Sequence, residues 1–313
     1  RAGLDQPNRT CTAGRTSPPG GSLGDPTGKR VPGRNGGATD CATDGTGCGA
    51  EAGDVPYTRR MPPPPTLSIV IPVLNEEDEI SIILTAAIAL LEERGGDWEI
   101  VVVDNASTDR TVERVAPFVD GQRVRLLEND SNRGKGFSIR RGMLEARGDL
   151  RLMCDADCVA SLRSLPSMEH LAGVADVVVG SRLSAGARVT RRQPLRRRVV
   201  GVGFIALTRA LMGKLPKDVY CGFKLWRAGC AQDVFEHARL DGWVFDAEAL
   251  AMARRMGYRV VETGIEWNNR PDSRLSIRDS LVPVLGELWA ARRNVRRSST
   301  SYRIEDESPQ SAY

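Results

Sequence analysis

From Leu67 onward one pattern repeats: a short apolar run, a turn rich in Asn, Asp, Ser or Gly, then a stretch with helical periodicity. Leu67–Val73 and Glu99–Val103 read as buried strands, the second ended by Asp104, and Arg123–Leu127 and Leu150–Cys154 as a third and fourth. The intervening spacing predicts helices over Glu77–Glu93, from Ser107 or Thr108 (as capping hydroxyls) to about Phe118, and from about Lys135 to Ala146. A further strand is expected over Asp176–Val179, helices near 196–212 and 244–256, and a strand near 258–266. Strands without polar alternation must be covered on both faces, and alternation with helices supplies the cover. The expected class is therefore α/β: a Rossmann-like, mostly parallel sheet flanked by helices.

The rest of the chain sets limits. Residues 1–65 are rich in Gly, Pro, Thr, Asp and Arg and end in a four-proline run. Such a segment buries too little apolar surface to offset its ordering entropy, so it is expected to be a disordered head. The ordered domain is expected over 66–295 and a polar, disordered tail over 296–313. The net charge of +4 gives no argument for nucleic acid, and none is expected as a partner. Arginines instead cluster at 188–198 and 292–303, which suits a solvated face, a phosphate or an anionic membrane surface. Seven cysteines without C-x-x-C spacing and two separated histidines predict neither a disulfide framework nor a zinc site, and a reducing, cytosolic setting is expected. The start of the sequence carries no apolar segment of the signal-peptide kind, and no run of 18 apolar residues predicts a membrane-spanning helix. Val199–Met212 comes nearest, apolar except for Thr208 and Arg209, and reads either as core or as an interfacial helix.

In an open α/β sheet, ligands bind beyond the carboxyl ends of the strands. Polar residues collect at those ends: Asn75 and Glu76 after the first strand, Asp104–Asp109 after the second, Asp155-Ala156-Asp157 after the fourth. Any one of these loops is also an ordinary turn, but three on one edge favour a site. Asp155 and Asp157, two residues apart at a strand end, can both reach one hard cation, and Mg2+ or Mn2+ shares oxygen ligands with substrate phosphates. Asn132-Arg133-Gly134-Lys135-Gly136 opens a helix, where glycines permit close approach, the helix N-terminus favours an anion, and Arg133 and Lys135 add charge. Neither a P-loop nor a dinucleotide fingerprint is present, which weighs against NTPases and dehydrogenases.

Taken together these segments resemble family 2 glycosyltransferases of the GT-A fold, over residues 67 to about 290. The matching stretches are Ser68–Glu76, Val103–Thr111, Asn132–Gly136, Asp155–Asp157 and Gly180-Ser181-Arg182. Two narrower ones, Asp218–Leu225 (D-V-Y-C-G-F-K-L) and Trp243–Glu248 (W-V-F-D-A-E), look closest to the branch that charges dolichyl phosphate with glucose, beside the mannosyl branch. The resemblance implies a metal-assisted, inverting hexosyltransferase. Its donor would be UDP-glucose or GDP-mannose, and its acceptor a polyprenyl phosphate at the cytoplasmic face of a membrane, with a membrane protein as a further partner. It implies nucleotide-sugar contacts at Pro72, Leu74, Asn75, Glu76, Asp104, Asn105, Lys135 and Ala156, and metal at Asp155 and Asp157. Acceptor phosphate is expected at Arg182 and at Arg197 on an Arg-rich helix start. Asp246 and Glu248 would orient sugar hydroxyls, or act as base for an alcohol acceptor; capping and salt bridges on a helix start are their plainer reading.

Two departures bear on the metal. Asn105 stands where the family usually has a second acid, and Cys158 and Val159 follow the acidic pair where some relatives place another ligand. The metal is then expected to be held more by diphosphate and water than by protein. Because a phosphate monoester has a second pKa of about 6, the acceptor is largely dianionic near neutrality and needs little help from a base. A family 2 enzyme with a soluble or polysaccharide acceptor, and a non-catalytic nucleotide-sugar-binding protein, remain open on the same residues. A nucleotidyltransferase also uses D-x-D on such a sheet, but Gly180-Ser181-Arg182 and C-G-F-K-L argue against it.

Overall fold

Seven strands form the central sheet, and the register of the first three follows from their apolar continuity. The structure, a computed structural model, describes residues 66–190, 195–268 and 277–297, without the side chains of 195–198 and 277–283. The head expected over 1–65 and the tail beyond Arg297 lie outside the described residues. In chain order the elements are β1 (Leu67–Val73), α1 (Ile80–Arg94), β2 (Trp98–Asp104), α2 (Thr111–Val115), β3 (Val124–Glu128), α3 (Lys135–Glu145), β4 (Leu150–Cys154), α4 (Leu165–Ala172), β5 (Val177–Ser181) and β6 (Arg188–Val189). There follow α5 (Leu195–Met212), β7 (Phe223–Arg227), α6 (Ala228–His237), α7 (Phe245–Arg255), β8 (Val260–Gly264), β9 (Glu266–Trp267) and α8 (Ile277–Arg297).

The sheet order is β3-β2-β1-β4-β7-β5-β8, with β6 and β9 paired separately. Every neighbour pair in the large sheet is parallel except those of β7, which runs antiparallel to both β4 and β5. The sheet is mostly parallel, as expected, and β7 is its antiparallel member, a strand over Phe223–Arg227 that the sequence showed only as part of a motif. Alternate residues of β1 serve opposite layers. Leu67, Ile69 and Ile71 pack with Ile80, Ile83 and Leu84 of α1, while Val70 packs with Ile139 and Met143 of α3. Both faces are thus buried, as the unbroken apolar runs require.

α2 also departs from expectation, starting at Thr111 without a side-chain cap. The hydroxyls expected to cap it are engaged elsewhere: Ser107 Oγ accepts the Asn75 N–H at 2.9 Å and Thr108 Oγ1 donates to Asn75 Oδ1 at 3.4 Å. Tertiary bonds between two loops have displaced a local cap.

At the opposite, amino-terminal edge, Glu99 is buried in β2 and gathers the strand ends. Its carboxylate accepts from Ser68 Oγ (2.7 Å), Arg147 N (2.6 Å), Arg125 Nη2 (3.0 Å) and Arg147 Nε (2.9 Å). Burial alone would raise its pKa, yet the Arg147 amide, the Ser68 hydroxyl and the two guanidinium groups hold it below the ordinary value of 4.5. A carboxyl depressed in the folded state contributes stability that is present above its unfolded pKa and lost as pH falls through the folded one. Glu99→Gln is therefore expected to cost about 2–3 kcal/mol at neutral pH, at or below the lower end for a broken buried pair because Arg147 stays partly hydrated. Urea midpoints should show the gap between wild type and variant closing as pH drops below 4.5.

Candidate active site

The carboxyl ends of β1, β2, β4 and β5 and the start of β7 meet along one sheet edge. Pro72, Leu74, Asn75 and Glu76 lie half-buried at the end of β1. Asn75 takes the left-handed conformation (φ 54°), one that Asn tolerates, and its Oδ1 accepts the Thr108 N–H at 2.7 Å. Across from it, Asp104 Oδ2 accepts the Ser107 N–H at 3.0 Å. Asp104 Oδ1 is buried with no hydrogen-bond partner among the described residues. A buried acceptor of this kind is costly unless a ligand donor reaches it.

Asn105 is buried too, and uses both ends of its amide. Its Nδ2 donates to Asn132 Oδ1 at 2.7 Å, while its Oδ1 accepts from Asn129 Nδ2 and the Arg133 N–H, each at 3.1 Å. A carboxylate at 105 would lack the donor for Asn132, so the departure from the family pattern has a structural use: Asn105 shapes the loop that ends in Lys135.

The first amides of the helix that this loop opens are turned to the protein itself. The first free amides of α3, Gly136 N and Phe137 N, both donate to Asp241 O, at 2.7 and 3.3 Å. The glycines serve approach to the protein's own backbone: a Cβ on Gly136 would lie 2.5 Å from Leu240 O and 2.7 Å from Phe245 Cβ. Arg140 secures the contact by donating to Asp241 Oδ1 at 2.6 Å. These two amides are thus occupied, and the Lys135 side chain faces the site.

Lys135 Nζ donates to Asp155 Oδ2 at 2.6 Å, while Asp155 Oδ1 is buried and unpartnered among the described residues. The Asp155 backbone is fixed by its N–H bond to Gly222 O at 3.0 Å, which prolongs the β4–β7 ladder. Gly222 faces the carboxylate so closely that an added Cβ would sit 2.9 Å from Oδ1 and nearer still to Oδ2 and Cγ. Ala156 is buried beneath the turn, and Asp157 is half-buried on it. Cys154, Cys158 and Cys221 around it are buried free thiols. Burial pushes Cys158 well up and Cys221 to about 12, so both stay neutral and neither offers a thiolate.

These residues fit a hard divalent cation. The orphaned Asp155 oxygen is an anionic oxygen ligand in need of a partner, and Asp157 lies two residues on. Among the described residues no three His, Cys, Asp or Glu side chains converge, so most of the ligands would come from diphosphate and water.

Further along the edge, Arg182 follows β5 and forks onto Asp218, Nε to Oδ2 at 2.8 Å and Nη2 to Oδ1 at 2.7 Å. The Arg182 N–H also donates to Oδ2 at 2.8 Å. Asp218 is fully buried, and its own N–H is held by Glu262 Oε1 at 2.9 Å. The guanidinium lies 5.0 Å over the Trp267 ring. Asp246, at the start of α7, is buried and pairs at 2.6 Å with Lys224 of β7, which is buried completely and also donates to Cys221 O. Burial raises the Asp246 pKa, against the pull of Lys224 and Lys135.

Glu248 takes a supporting place in contrast to the catalytic one expected. It is fully buried, its Oε2 accepting the backbone N–H groups of Arg239 (3.0 Å) and Leu240 (2.8 Å) and its Oε1 accepting from Asn294 Nδ2 (2.8 Å). It braces the 239–240 strap that receives α3. Arg197 lies within α5, but its side chain is outside the described residues. Asp218 and Lys224 were not singled out from sequence. A charged residue inside the apolar F-K-L-W run is the signal that could have drawn notice to Lys224, since a buried lysine needs a fixed carboxylate.

A family model described as glycosyl transferase family 2 matches residues 68–235. Among curated proteins, the chain is 34% identical over 223 residues to a dolichyl-phosphate beta-glucosyltransferase of Trichomonas vaginalis, covering 67% of this chain and 66% of that one. It is 30% identical over 242 residues to the dolichyl-phosphate beta-glucosyltransferase of Saccharomyces cerevisiae, covering 71% and 72%, and 29% identical over 230 residues to that of Homo sapiens, covering 68% and 70%. The chain thus spans about two thirds of the length of these relatives. Among solved structures, glucosyl-3-phosphoglycerate synthase from Mycobacterium tuberculosis in complex with uridine-diphosphate superposes with a TM-score of 0.52 at 18% identity, over 73% of this chain and 80% of that one. That likeness is one of fold, and it agrees with the GT-A architecture expected from sequence.

Proposed function

The chain belongs to glycosyl transferase family 2, and within it we propose a glucosyltransferase that moves glucose from UDP-glucose to a dolichyl-type polyprenyl phosphate with inversion. The observation that carries this reading is the pairing of two anion sites on one sheet edge. Asp155 and Asp157 suit a cation that accompanies a diphosphate, and Arg182 presents a guanidinium on a buried carboxylate to a second phosphate. The three curated relatives described above, each named as a dolichyl-phosphate beta-glucosyltransferase, support the same choice of sugar and acceptor.

In this mechanism Asp104 Oδ1 accepts an N–H of the nucleobase, which lies over Pro72, Leu74 and Glu76. Mg2+ or Mn2+, held by Asp155 and Asp157, would neutralise charge on the leaving diphosphate. Asp246, its position set by Lys224, orients sugar hydroxyls. Arg182 holds the acceptor phosphate so that one of its oxygens lies in line with the anomeric carbon. That oxygen forms the new bond as the bond from carbon to the diphosphate breaks, and UDP departs with the electron pair. No proton needs removing, because the phosphate is already dianionic above about pH 6. An alcohol acceptor would need a base, and Glu248 is fully committed.

A lipid acceptor places the enzyme at a membrane surface. No described helix is long and apolar enough to cross a membrane. α5 nevertheless exposes Val199 and Val202, and α8 exposes Leu285 and Trp289. Arg292 Nη1 of α8 donates to Leu211 O of α5 at 2.9 Å, so the two helices adjoin, with Arg209, Arg293, Arg296 and Arg297 exposed around them. Apolar side chains, a tryptophan and arginines on adjoining helices suit an anionic lipid interface.

The test is transfer by the full chain from labelled UDP-glucose or GDP-mannose, with Mn2+, to a polyprenyl phosphate in anionic vesicles or in detergent. UDP-glucose should yield organic-phase product, reduced at least about a hundredfold in Asp157→Ala. The double variant Leu285→Ser/Trp289→Ser should lower the vesicle rate far more than the detergent rate. Product from GDP-mannose alone would overturn the sugar, and transfer only to water-soluble acceptors would overturn the lipid.

A further inference from the structure

Lys135 occupies the position of a cation. Its ammonium sits 2.6 Å from Asp155 Oδ2, on one of the two carboxylates assigned to the metal. The two groups form an ion pair, so a positive charge already lies on this carboxylate. The backbone at 135 cannot retreat. It is flanked by Asn132, tied to Asn105, and by Gly136 and Phe137, tied to Asp241 O. The side chain is different: four flexible methylenes carry a point charge, 19% exposed, with the Trp243 ring 5.6 Å from Nζ.

A divalent ion on Asp155 and the Lys135 ammonium on Asp155 Oδ2 are therefore in competition. A metal arriving alone must dislodge Lys135 from its carboxylate, with two positive groups left in one poorly solvated site. A metal arriving with a diphosphate brings an anion to which the ammonium can transfer. We propose that Lys135 is an internal stand-in for the metal, holding Asp155 in the donor-free protein and passing to the donor's diphosphate when metal and donor bind together. The inference rests on the reading of this site as a metal–diphosphate site. It makes metal and nucleotide binding mutually dependent through the protein, beyond any bond between them.

Mn2+ binding to the full chain, followed by the electron paramagnetic resonance signal of the free ion with and without UDP, tests this without turnover. Lys135→Met should bind Mn2+ alone about tenfold or more tighter than wild type, and the enhancement by UDP should shrink by at least the same factor. Lys135→Arg, which keeps a cation over Asp155, should stay close to wild type without UDP, and thermal melts check that each variant is folded. Lys135→Met binding Mn2+ no tighter than wild type, with the UDP enhancement intact, would overturn the proposal. If the methionine variant does not fold, the wild type still decides: tight Mn2+ binding without UDP refutes a lysine that blocks the site. Wild type binding Mn2+ and UDP without coupling removes this inference alone. Binding of neither, in any combination, removes the metal–diphosphate reading and this inference with it.

Discussion

Gly222→Ala is expected to lower glucosyl transfer about a hundredfold or more and to abolish the coupling of Mn2+ to UDP, in a protein that remains folded. The added methyl would overlap the Asp155 carboxylate, entering within 2.9 Å of Oδ1 and closer to Oδ2 and Cγ. Neither partner has a simple escape. Asp155 is a short side chain on a backbone bonded to Gly222 O, and Gly222 enters β7, in the middle of the sheet. The carboxylate must rotate away, which separates it from Lys135 and from the position a metal requires. Overpacking at one such site costs about 1–3 kcal/mol, small enough to leave the fold standing. Gly229→Ala, in α6 with nothing within 4 Å of the added Cβ, is the matched control and should leave both rate and melting temperature near wild type. Rates within a few fold of wild type for Gly222→Ala, with the fold intact, would show that Asp155 is not held where transfer needs it.

The same glycine shows where sequence reading stops. The apolar strands β1, β2 and β4 were legible because continuous burial leaves no polar alternation to confuse them, and the three loops beyond them followed from the topology. β7 was hidden because its second residue, Lys224, is charged and fully buried. A lysine is tolerated there only through Asp246, 22 residues later and on a different element, and no local pattern reports such a pair. The use of the glycines in Asn132–Gly136 was not legible for a related reason. A glycine-rich helix start serves a phosphate and a protein carbonyl equally well, and Asp241 O is the group that took it. Glu248 likewise looked like a partner to Asp246 in W-V-F-D-A-E, but two residues along a helix point in different directions. One carboxylate reaches Lys224 and the other the 239–240 backbone. α8 was not among the helices expected, since Pro283 and Gly286 interrupt its helical propensity.

Arg182→Lys is expected to cut kcat/KM for the polyprenyl phosphate by about a hundredfold or more, while the affinity for UDP and Mn2+ stays near wild type. The argument is geometric. Arg182 spends Nε and one Nη2 hydrogen on Asp218, and the fork leaves Nη1 directed elsewhere, so one side chain satisfies a buried acid and still addresses a second anion. A lysine has one charge centre. Faced with the fully buried Asp218, it pairs there and abandons the acceptor. The pH profile separates this role from scaffolding. Burial would raise the Asp218 pKa, but its bonds to Arg182 and the Arg182 charge hold it below the ordinary 3.8. The pair's contribution is therefore complete above that value and is lost only as pH falls through the lower folded pKa. Between pH 5 and 8 the pair does not titrate, and the acceptor phosphate does, near about pH 6. Wild type and Arg182→Lys should accordingly share one midpoint in log kcat/KM against pH and differ only in plateau. A shifted midpoint, or a loss that falls equally on UDP affinity, would assign Arg182 to the architecture of the donor site and return the acceptor phosphate to the arginines at the start of α5.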